Sequence, residues 1–267
     1  MFISKAKMKI NVLCIGDVVG KAGRDLLISK LPSMVEAHGI DCVIVNAENS
    51  AAGSGITPKH YRALIDSGVH IITLGDHAFR KRDILSTLDQ NSNIIRPANI
   101  SQLASGKGFT AYQCSKGTVI GVVVLMGRVF MNPADCPFSC IDNIISKVKS
   151  QSDIIIIEVH AEATSEKAAL GYYLDGKASL VYGTHTHVQT ADEKILPLGT
   201  GFITDIGMTG SHYSILGRKV ENVVKAMRTQ LPYPYEVNDE DCRITGIIST
   251  IDSNTKKCEK ITRIQVK

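Results

Sequence analysis

The sequence predicts an α/β fold in which two β-sheets pack face to face and helices cover their outer sides. Apolar, β-branched runs alternate with segments of helical periodicity in the first third of the chain, as at residues 10–15 and 42–45. Strands as uniformly apolar as these are buried on both faces of a sheet. After Asn99, many short strand-like segments follow with few helices between them, which excludes a (β/α)₈ barrel and favours a second sheet.

Each element is predicted from its periodicity and its end signals. Helices are expected at residues 26–36, 58–66, 141–150 and 220–230. Strands are expected at residues 10–15, 42–45, 70–74, 109–113, 118–125, 154–159, 180–182, 201–204, 243–252 and 260–265. Gly39 closes the first helix, and the polar residues 253–256 join the last two strands in a terminal hairpin. No linker, charge block or repeat divides the chain, so we expect residues 1–267 to form one domain.

Composition limits the class of protein. With 44% hydrophobic and 21% charged residues, the 267-residue chain is too apolar for wholesale disorder, and its mean hydropathy of +0.06 is too low for a multi-span membrane protein. The 30 basic and 26 acidic residues leave a net charge of only +4, so we expect neither a nucleic-acid nor a membrane partner. The apolar run at residues 12–15 is shorter than a signal sequence requires.

The seven cysteines indicate a reducing compartment. Their number is odd, and Cys14 and Cys42 lie in apolar runs where a thiol packs as a small hydrophobic group. We therefore expect a cytoplasmic location. Cys136 and Cys140 have the spacing of half a zinc site, but no second pair lies at a suitable distance along the chain.

Side chains that commonly bind metals follow five of the predicted strands. They are Asp17, then Asn46, Glu48 and Asn49, then Asp76 and His77, then Glu158 and His160, and finally His185 and His187. Functional sites of α/β sheets gather at the carboxyl ends of strands, where the loops lie. A set of carboxylates and imidazoles suits iron, manganese or zinc better than magnesium or calcium. Five such strand ends at one edge are typical of a binuclear metal site.

Taken singly, these residues also have simpler interpretations. Asp17 follows a strand and could cap the next helix, Glu48 could belong to a turn, and His160 could be a structural histidine. His185 and His187 favour metal binding more strongly, because alternate strand positions point to one side and suit two neighbouring ions. The coincidence of five strand ends favours a metal site over separate structural roles.

Other motifs for phosphate or ester chemistry are incomplete. Residues 16–22, GDVVGKA, are one residue short of a Walker A loop and lack the Ser or Thr that follows its lysine. No G-x-G-x-x-G follows the first strand and no G-x-S-x-G occurs, so dinucleotide binding and a serine hydrolase are unsupported. Arg24, near the start of the first helix, is expected to be solvated rather than to touch a phosphate.

Six segments give the sequence its resemblance to a known family. They are GDVVG (16–20), NAENSAAGSGIT (46–57), LGDHAF (74–79), VHAEATSEK (159–167), GTHTHVQTADEKILPLGTGFITDIGMTG (183–210) and LPYPYEV (231–237). Over nearly its whole length the chain resembles the YmdB-like branch of the calcineurin-like metallophosphoesterases. The resemblance implies a four-layer α/β/β/α sandwich and a two-metal phosphodiesterase acting on cyclic nucleotides, with iron as a recurrent metal.

The resemblance also implies a role for each residue of the site. The first metal ion falls on Asp17, Glu48, Asn49 and His187, and the second on Glu48, Asp76, His160 and His185, with Glu48 bridging. His77 matches the proton donor, and Asn49 and His77 are expected to contact substrate. The implied cofactors are two metal ions, expected to be iron with iron or iron with manganese, while manganese or zinc alone is also compatible.

One position departs from the family pattern. The family has Asn before the catalytic histidine, where this chain has Asp76 followed by His77. A carboxylate can still coordinate through one oxygen. Two divalent ions with Asp17, Glu48 and a hydroxide carry a charge of about +1, which an ionised Asp76 lowers to about zero. We therefore expect a stronger preference for a pair that contains trivalent iron.

These observations predict a phosphodiesterase that hydrolyses 3′,5′- or 2′,3′-cyclic nucleotides through a hydroxide shared by two ions, and a homo-oligomer. A phosphomonoesterase or nucleotidase on the same site is an alternative, and so is a metal-binding regulatory protein with little turnover. His77 argues against the last, because a binding protein needs no proton donor. The sequence selects no base pocket among its aromatic candidates, which are Phe138, Tyr172, Tyr173 and Tyr213. The loop at 130–138 could cover the site.

Overall fold

Fourteen strands and six α-helices make up the part of the chain that the computed structural model describes, residues 8–267. The strands are β1 (Lys9–Ile15), β2 (Asp17–Val18), β3 (Cys42–Asn46), β4 (Ile71–Thr73), β5 (Ile94–Ile95), β6 (Phe109–Gln113), β7 (Val119–Met126), β8 (Ile154–His160), β9 (Leu180–Thr184), β10 (Lys194–Ile195), β11 (Gly201–Ile203), β12 (Met208–Ser211), β13 (Cys242–Asp252) and β14 (Cys258–Val266). The α-helices are α1 (Gly20–His38), α2 (Pro58–Asp66), α3 (Leu85–Gln90), α4 (Pro137–Gln151), α5 (Thr164–Tyr173) and α6 (Val220–Thr229), and a 3₁₀ turn spans Arg82–Ile84.

The strands form two mixed sheets. The first has the order β2-β12-β13-β1-β3-β4-β5, with β14 also paired to β13. The second has the order β10-β11-β9-β8-β7-β6. Within them β1, β3, β4 and β5 run parallel, as do β7, β8, β9 and β11. The predicted terminal hairpin is confirmed, because β13 and β14 pair in antiparallel register.

Alternation along the strands creates the layers. In β1, Ile10 and Val12 lie in the core between the two sheets, whereas Leu13 and Ile15 pack beneath α1 and α2. This follows from the two-residue period of a strand, which sends successive side chains to opposite faces.

The second sheet alternates in the same way. Val122 and Val124 of β7 face the first sheet, and Val123 and Leu125 pack under α4 and α5. Helices therefore cover the outer face of each sheet, which confirms the four-layer α/β/β/α sandwich.

Helices α1, α3 and α5 differ most from the prediction, and α4 begins at Pro137 rather than at Ile141. Helix α1 begins at Gly20 rather than at Leu26, because its first turns approach the first sheet through glycine: a Cβ on Gly23 would overlap the Thr209 carbonyl oxygen. Helix α5 was not predicted, and Gly171 within it lies against the ring of Phe202. Helix α3 was missed because six residues are too few for a helical period to show.

The parallel strands carry the loops of interest to one edge. Strands β1, β3 and β4 of the first sheet, and β8 and β9 of the second, end where the predicted metal-binding residues begin. Within residues 8–267, no helix combines the length and the apolar character needed to cross a membrane. Residues 1–7 lie outside the described residues.

Candidate metal centre

Four of the predicted ligands converge at this edge. Ligand atoms of Glu48, Asp76, His160 and His185 all lie within 4.8 Å of one another. The Nε2 atom of His160 lies 3.0 Å from Glu48 Oε1 and 3.1 Å from Asp76 Oδ1. His185 Nδ1 lies 3.1 Å from the same Nε2. Two imidazoles and two carboxylates facing one point could hold a metal ion.

A second group lies beside the first. Asp17 Oδ1 is 3.6 Å from His187 Nε2, and the amide nitrogen of Asn49 is 3.4 Å from that oxygen and 3.2 Å from that ring nitrogen. The two groups are joined by the backbone, because the His185 amide donates to Asp17 Oδ2 at 3.2 Å. The structure thus brings all seven predicted ligands to one edge, in two adjacent groups.

The amide of Asn49 is turned away from metal binding. Its oxygen is 2.7 Å from His77 Nδ1, and its nitrogen faces Asp17 and His187. Because an amide nitrogen has no lone pair to offer a cation, Asn49 would bind a metal ion only after its amide rotates by about 180°. Such a rotation would bring the oxygen to Asp17 and His187.

The two histidines of the later loop converge for a different reason than the sequence suggested. Strand β9 ends at Thr184, and both His185 (φ 93°) and His187 (φ 63°) have left-handed backbone conformations. Their proximity therefore comes from a strained loop rather than from alternate positions of a strand. Backbone strain of this kind, at a cost of about 1–3 kcal/mol per residue, is concentrated at functional sites.

Glycine permits the close approach of one strand end to another. A Cβ on Gly75 would overlap the ring of His160, so only glycine fits directly before Asp76. The Gly75 amide also donates to Glu48 Oε2 at 2.6 Å, and the His77 amide donates to the same oxygen at 3.0 Å. The loop that carries Asp76 and His77 is thereby fixed against Glu48.

Two simpler interpretations are wrong. Val19, not Asp17, occupies the N-cap position of α1, and no side chain caps that helix. Arg24 is half-buried rather than solvated, and its guanidinium donates to the carbonyl oxygen of Ser50 in the loop that follows Asn49. Arg24 therefore stabilises the loop that carries Glu48 and Asn49.

Opposite charges within the groups shift their pKa values. Burial alone would raise the pKa of Asp17, but the hydrogen bond and charge of His187 hold it well below its usual range. The pKa of Asp76 is likewise low, because His160 and His185 outweigh its burial. Burial alone would lower the pKa of His160, yet Glu48 and Asp76 raise it well above its usual value.

A fully buried chain of hydrogen bonds fixes the ring of His160. The Thr184 hydroxyl donates to Glu158 Oε1 at 2.8 Å and is therefore free to accept from His160 Nδ1 at 2.9 Å. Glu158 also accepts from Asn46 at 2.7 Å and from Tyr182 at 2.9 Å, while burial raises the pKa of its carboxyl group. With its proton on Nδ1, His160 presents the lone pair of Nε2 to Glu48 and Asp76.

The other two histidines have supports of their own. His187 Nδ1 lies 3.1 Å from the Leu216 carbonyl oxygen, which leaves Nε2 facing Asp17. His185 Nε2 lies 3.1 Å from Glu162 Oε2, at the rim of the group.

A buried ion pair binds Thr186, the residue between His185 and His187. Lys167 Nζ lies 2.6 Å from Asp205 Oδ2, and both side chains are fully buried. The same oxygen accepts from the Thr186 hydroxyl at 2.7 Å and from its amide at 3.2 Å.

Sequence reasoning missed these supporting residues. Glu158 was grouped with the candidate ligands, but its carboxylate binds Asn46, Thr184 and Tyr182 beneath the site. The threonines that precede His185 and His187, namely Thr184 and Thr186, were the one available signal, because outer hydrogen-bonding groups commonly orient metal-binding imidazoles.

Converging lone pairs test whether a metal ion fits the residues present. When Nδ1 of His160 carries the ring proton, Nε2 and the oxygens of Glu48 and Asp76 are all acceptors, separated by only 3.0 and 3.1 Å. Such an arrangement is repulsive unless a cation or a proton lies between the atoms. The donor set therefore fits a metal ion.

A cavity of about 430 Å³ opens beside both groups. Five of the candidate site residues line it: Glu48, Asn49, His77, His185 and His187. Its size falls within the roughly 300–1,000 Å³ typical of small-molecule sites.

A two-sheet sandwich with acidic and imidazole ligands gathered at one edge defines the metallophosphoesterase fold class. Comparison with known families identifies one family within this fold class. The model of the YmdB-like protein family matches residues 13–264, and the chain belongs to that family.

Relatives extend over almost all of the chain. A 2′,3′-cyclic-nucleotide 2′-phosphodiesterase of Bacillus subtilis (strain 168) is 44% identical over 257 residues, which cover 96% of this chain and 97% of that protein. A hypothetical protein from Thermus thermophilus, of known structure, has a TM-score of 0.90 at 37% identity, covering 96% of this chain and 98% of its own. The solved structure of a novel phosphatase from Mycoplasma pneumoniae has a TM-score of 0.91 at 33% identity, covering 97% and 94%.

Proposed function

We propose that this chain is a binuclear-metal phosphodiesterase that hydrolyses cyclic nucleotides, with 2′,3′-cyclic nucleotides as its first candidate substrates and 3′,5′-cyclic nucleotides as the second. The observation that carries the proposal is the convergence of Glu48, Asp76, His160 and His185 beside Asp17 and His187. The chain is a phosphoric ester hydrolase by family, and the name of its Bacillus subtilis relative supports the cyclic 2′,3′-phosphodiester as substrate.

In this proposal the two groups of side chains hold two ions. One ion would be held by Asp17, Glu48, Asn49 and His187, and the other would be held by Glu48, Asp76, His160 and His185. When bound, such ions polarise the phosphate oxygens and lower the pKa of water to near neutrality. The mixed imidazole and carboxylate donors support iron in at least one position, with manganese or zinc as substitutes.

His77 is the proposed proton donor. Its Nδ1 lies 2.7 Å from the amide oxygen of Asn49. Once that amide has rotated to bind a metal ion, its nitrogen would donate to Nδ1, which would leave the transferable proton on Nε2. Its backbone amide is fixed to Glu48, which keeps the ring at the wall of the cavity. A positioned acid that protonates the leaving alkoxide contributes about 10²–10⁴-fold to the rate. Asn49 and His77 together would also contact the substrate phosphate.

Substrate profiling of the purified full-length protein tests the proposal. After loading with iron or manganese, the protein is assayed by ³¹P NMR against 2′,3′-cyclic AMP, 3′,5′-cyclic AMP and AMP. We expect a cyclic substrate to be opened to a monoester, and we expect a chelator to abolish this turnover. His160→Ala should abolish it as well, whereas His38→Ala, at an exposed histidine of α1, serves as the matched control.

The same assay separates the alternatives. Release of inorganic phosphate from AMP without opening of either cyclic substrate would identify a phosphomonoesterase. Binding of both ions with no turnover of any substrate would identify a metal-binding regulatory protein. Either result contradicts the proposed phosphodiesterase.

A further inference from the structure

The cavity beside the metal-binding residues has an apolar side that the chemistry at phosphorus does not require. Leu216, from the loop before α6, and Met227, on α6, lie on that side together with Tyr235. Met227 is 74% exposed and Tyr235 is 65% exposed, although both are large apolar side chains. Exposed apolar groups gathered at a cavity commonly mark a ligand-binding surface.

A cation and an aromatic ring are paired within this surface. The guanidinium carbon of Arg218 lies 5.8 Å from the centroid of the Tyr235 ring. Arg218 is held in place, because Nη1 donates to the Tyr235 carbonyl oxygen at 2.9 Å and Nη2 donates to the Gly53 carbonyl oxygen at 2.6 Å. Both planar groups, the guanidinium and the phenol, are surfaces on which a base can stack.

The pair is tied to the metal-binding loop. Gly53 belongs to the same loop as Glu48 and Asn49, and a Cβ at Gly53 would lie only 2.7 Å from Arg218 Nη1. The backbone of Leu216 accepts the hydrogen bond from His187. The apolar side of the cavity is therefore held at a fixed position relative to the candidate ligands.

We propose that Leu216, Met227, Arg218 and Tyr235 form the nucleobase-binding surface of this chain. The inference rests on the proposed function, since it takes the phosphodiester to be at the metal-binding residues. A nucleotide held there by its phosphate can place its base in the adjoining cavity of about 430 Å³. Among the described residues, Tyr235 is the one Tyr, Phe or Trp side chain that lines this cavity.

The aromatic residues that the sequence left open as base contacts lie elsewhere. Phe138 and Tyr173 pack edge to face against each other, with ring centroids 5.2 Å apart, and neither lines the cavity. Tyr172 and Tyr213 do not line it either. Tyr235 belongs to the LPYPYEV segment, which carries part of the family resemblance and takes no part in the metal centre.

A comparison of two cyclic phosphodiesters tests this surface. Adenosine 2′,3′-cyclic phosphate and glycerol 1,2-cyclic phosphate present the same five-membered cyclic phosphate, with and without a base. The measured quantity is the ratio of their kcat/KM values. We expect Tyr235→Ala to lower this ratio about 10-fold, which corresponds to ~1.4 kcal/mol of lost stacking. Met227→Ala, at an exposed helical position, should lower it in the same direction.

Tyr213→Ala is the matched control, because Tyr213 is 63% exposed and lies outside the cavity. It should retain the wild-type ratio. Binding of slowly hydrolysed esters, adenosine 2′-phosphorothioate and glycerol 2-phosphorothioate, is measured by calorimetry on the same metal-loaded proteins. This second measurement does not depend on turnover.

The two measurements separate the failure of this inference from the failure of the proposed function. If Tyr235→Ala and Met227→Ala keep the wild-type discrimination in turnover and in binding, the base-binding surface is refuted while the phosphodiesterase stands. If the wild-type protein opens neither cyclic substrate, yet Tyr235→Ala loses its preference for the adenosine ester, the proposed function fails and the surface stands.

Discussion

Removal of the Thr184 hydroxyl should weaken metal binding, although Thr184 is not itself a proposed metal ligand. Thr184 is fully buried, and it lies between Glu158 and His160 with hydrogen bonds of 2.8 and 2.9 Å. Thr184→Val keeps the shape of the side chain but leaves the Nδ1 proton of His160 without an acceptor. When a metal ion binds Nε2 in place of a proton, the remaining ring proton has to stay on Nδ1, where this variant offers it no acceptor. The metal-bound state is therefore the one that loses stability.

The size of the effect follows from these contacts. Loss of a hydrogen-bonding partner outside the ligands typically lowers metal affinity about 10–100-fold, which is about 1.4–2.7 kcal/mol. The unpaired Nδ1 proton should also lower the free energy of unfolding by about 1–3 kcal/mol, because it is buried away from water. Glu158 keeps its bonds from Asn46 and Tyr182, so the carboxylate itself is not left unpaired.

Chelator competition measures the affinity directly, and Thr184→Ser is the matched control because it restores the hydroxyl. We expect Thr184→Val to bind manganese about 10–100-fold more weakly than the wild type. Thr184→Ser should lie close to the wild type. Equal affinities for all three proteins would refute the claim that Thr184 orients His160.

Three further outcomes follow from the same site. His77→Ala should keep both metal ions but lose most activity on alkyl phosphodiesters. It should lose much less activity on a nitrophenyl phosphodiester, because that leaving group needs no proton. Equal losses on both substrates would show that His77 is not the acid. Asp76→Asn should shift the metal preference towards divalent ions and raise activity with manganese, because it removes one negative charge. If the metal dependence and the pH–rate profile stay unchanged, the charge of Asp76 does not influence the metal preference. The metal-free protein should lose stability in thermal melts as the pH rises above about 6.5, the pKa of an unfolded histidine. The raised pKa of His160 stabilises the fold fully below that value, and this stabilisation disappears as the proton leaves at higher pH. Metal loading, which replaces that proton, should flatten the dependence, and parallel curves would contradict the account.

Much of the fold follows from local patterns in the sequence. Strand β6 and helix α2 have the predicted bounds, because a two-residue or helical period and clear end signals coincide there. The start of α1 was missed because Gly20 and Gly23 oppose helix propensity and are explained only by close packing on the neighbouring strand. The single domain, the homo-oligomer and the cytoplasmic location stay predictions.

The convergence of the candidate metal ligands was predictable from the sequence, whereas the residues that orient them through hydrogen bonds were not. Parallel strands bring their carboxyl ends together, so Asp17 and Glu48, which follow the neighbouring strands β1 and β3, were expected to lie close to each other. His160 joins them from the second sheet. Between His185 and His187, which have left-handed conformations, Thr186 binds Asp205 of the Asp205–Lys167 pair, and both members of that pair come from other segments of the chain. No local pattern encodes such contacts.

Metal stoichiometry tests the central claim most directly, namely that two groups of side chains hold two ions for one hydrolysis. The wild type, His187→Ala and His160→Ala are loaded with manganese, checked for folding by circular dichroism, and analysed by inductively coupled plasma mass spectrometry together with turnover of adenosine 2′,3′-cyclic phosphate. We predict two ions per chain and turnover for the wild type, and one ion without turnover for each variant. Two retained ions in either variant, or full turnover by a protein that holds a single ion, would contradict the account.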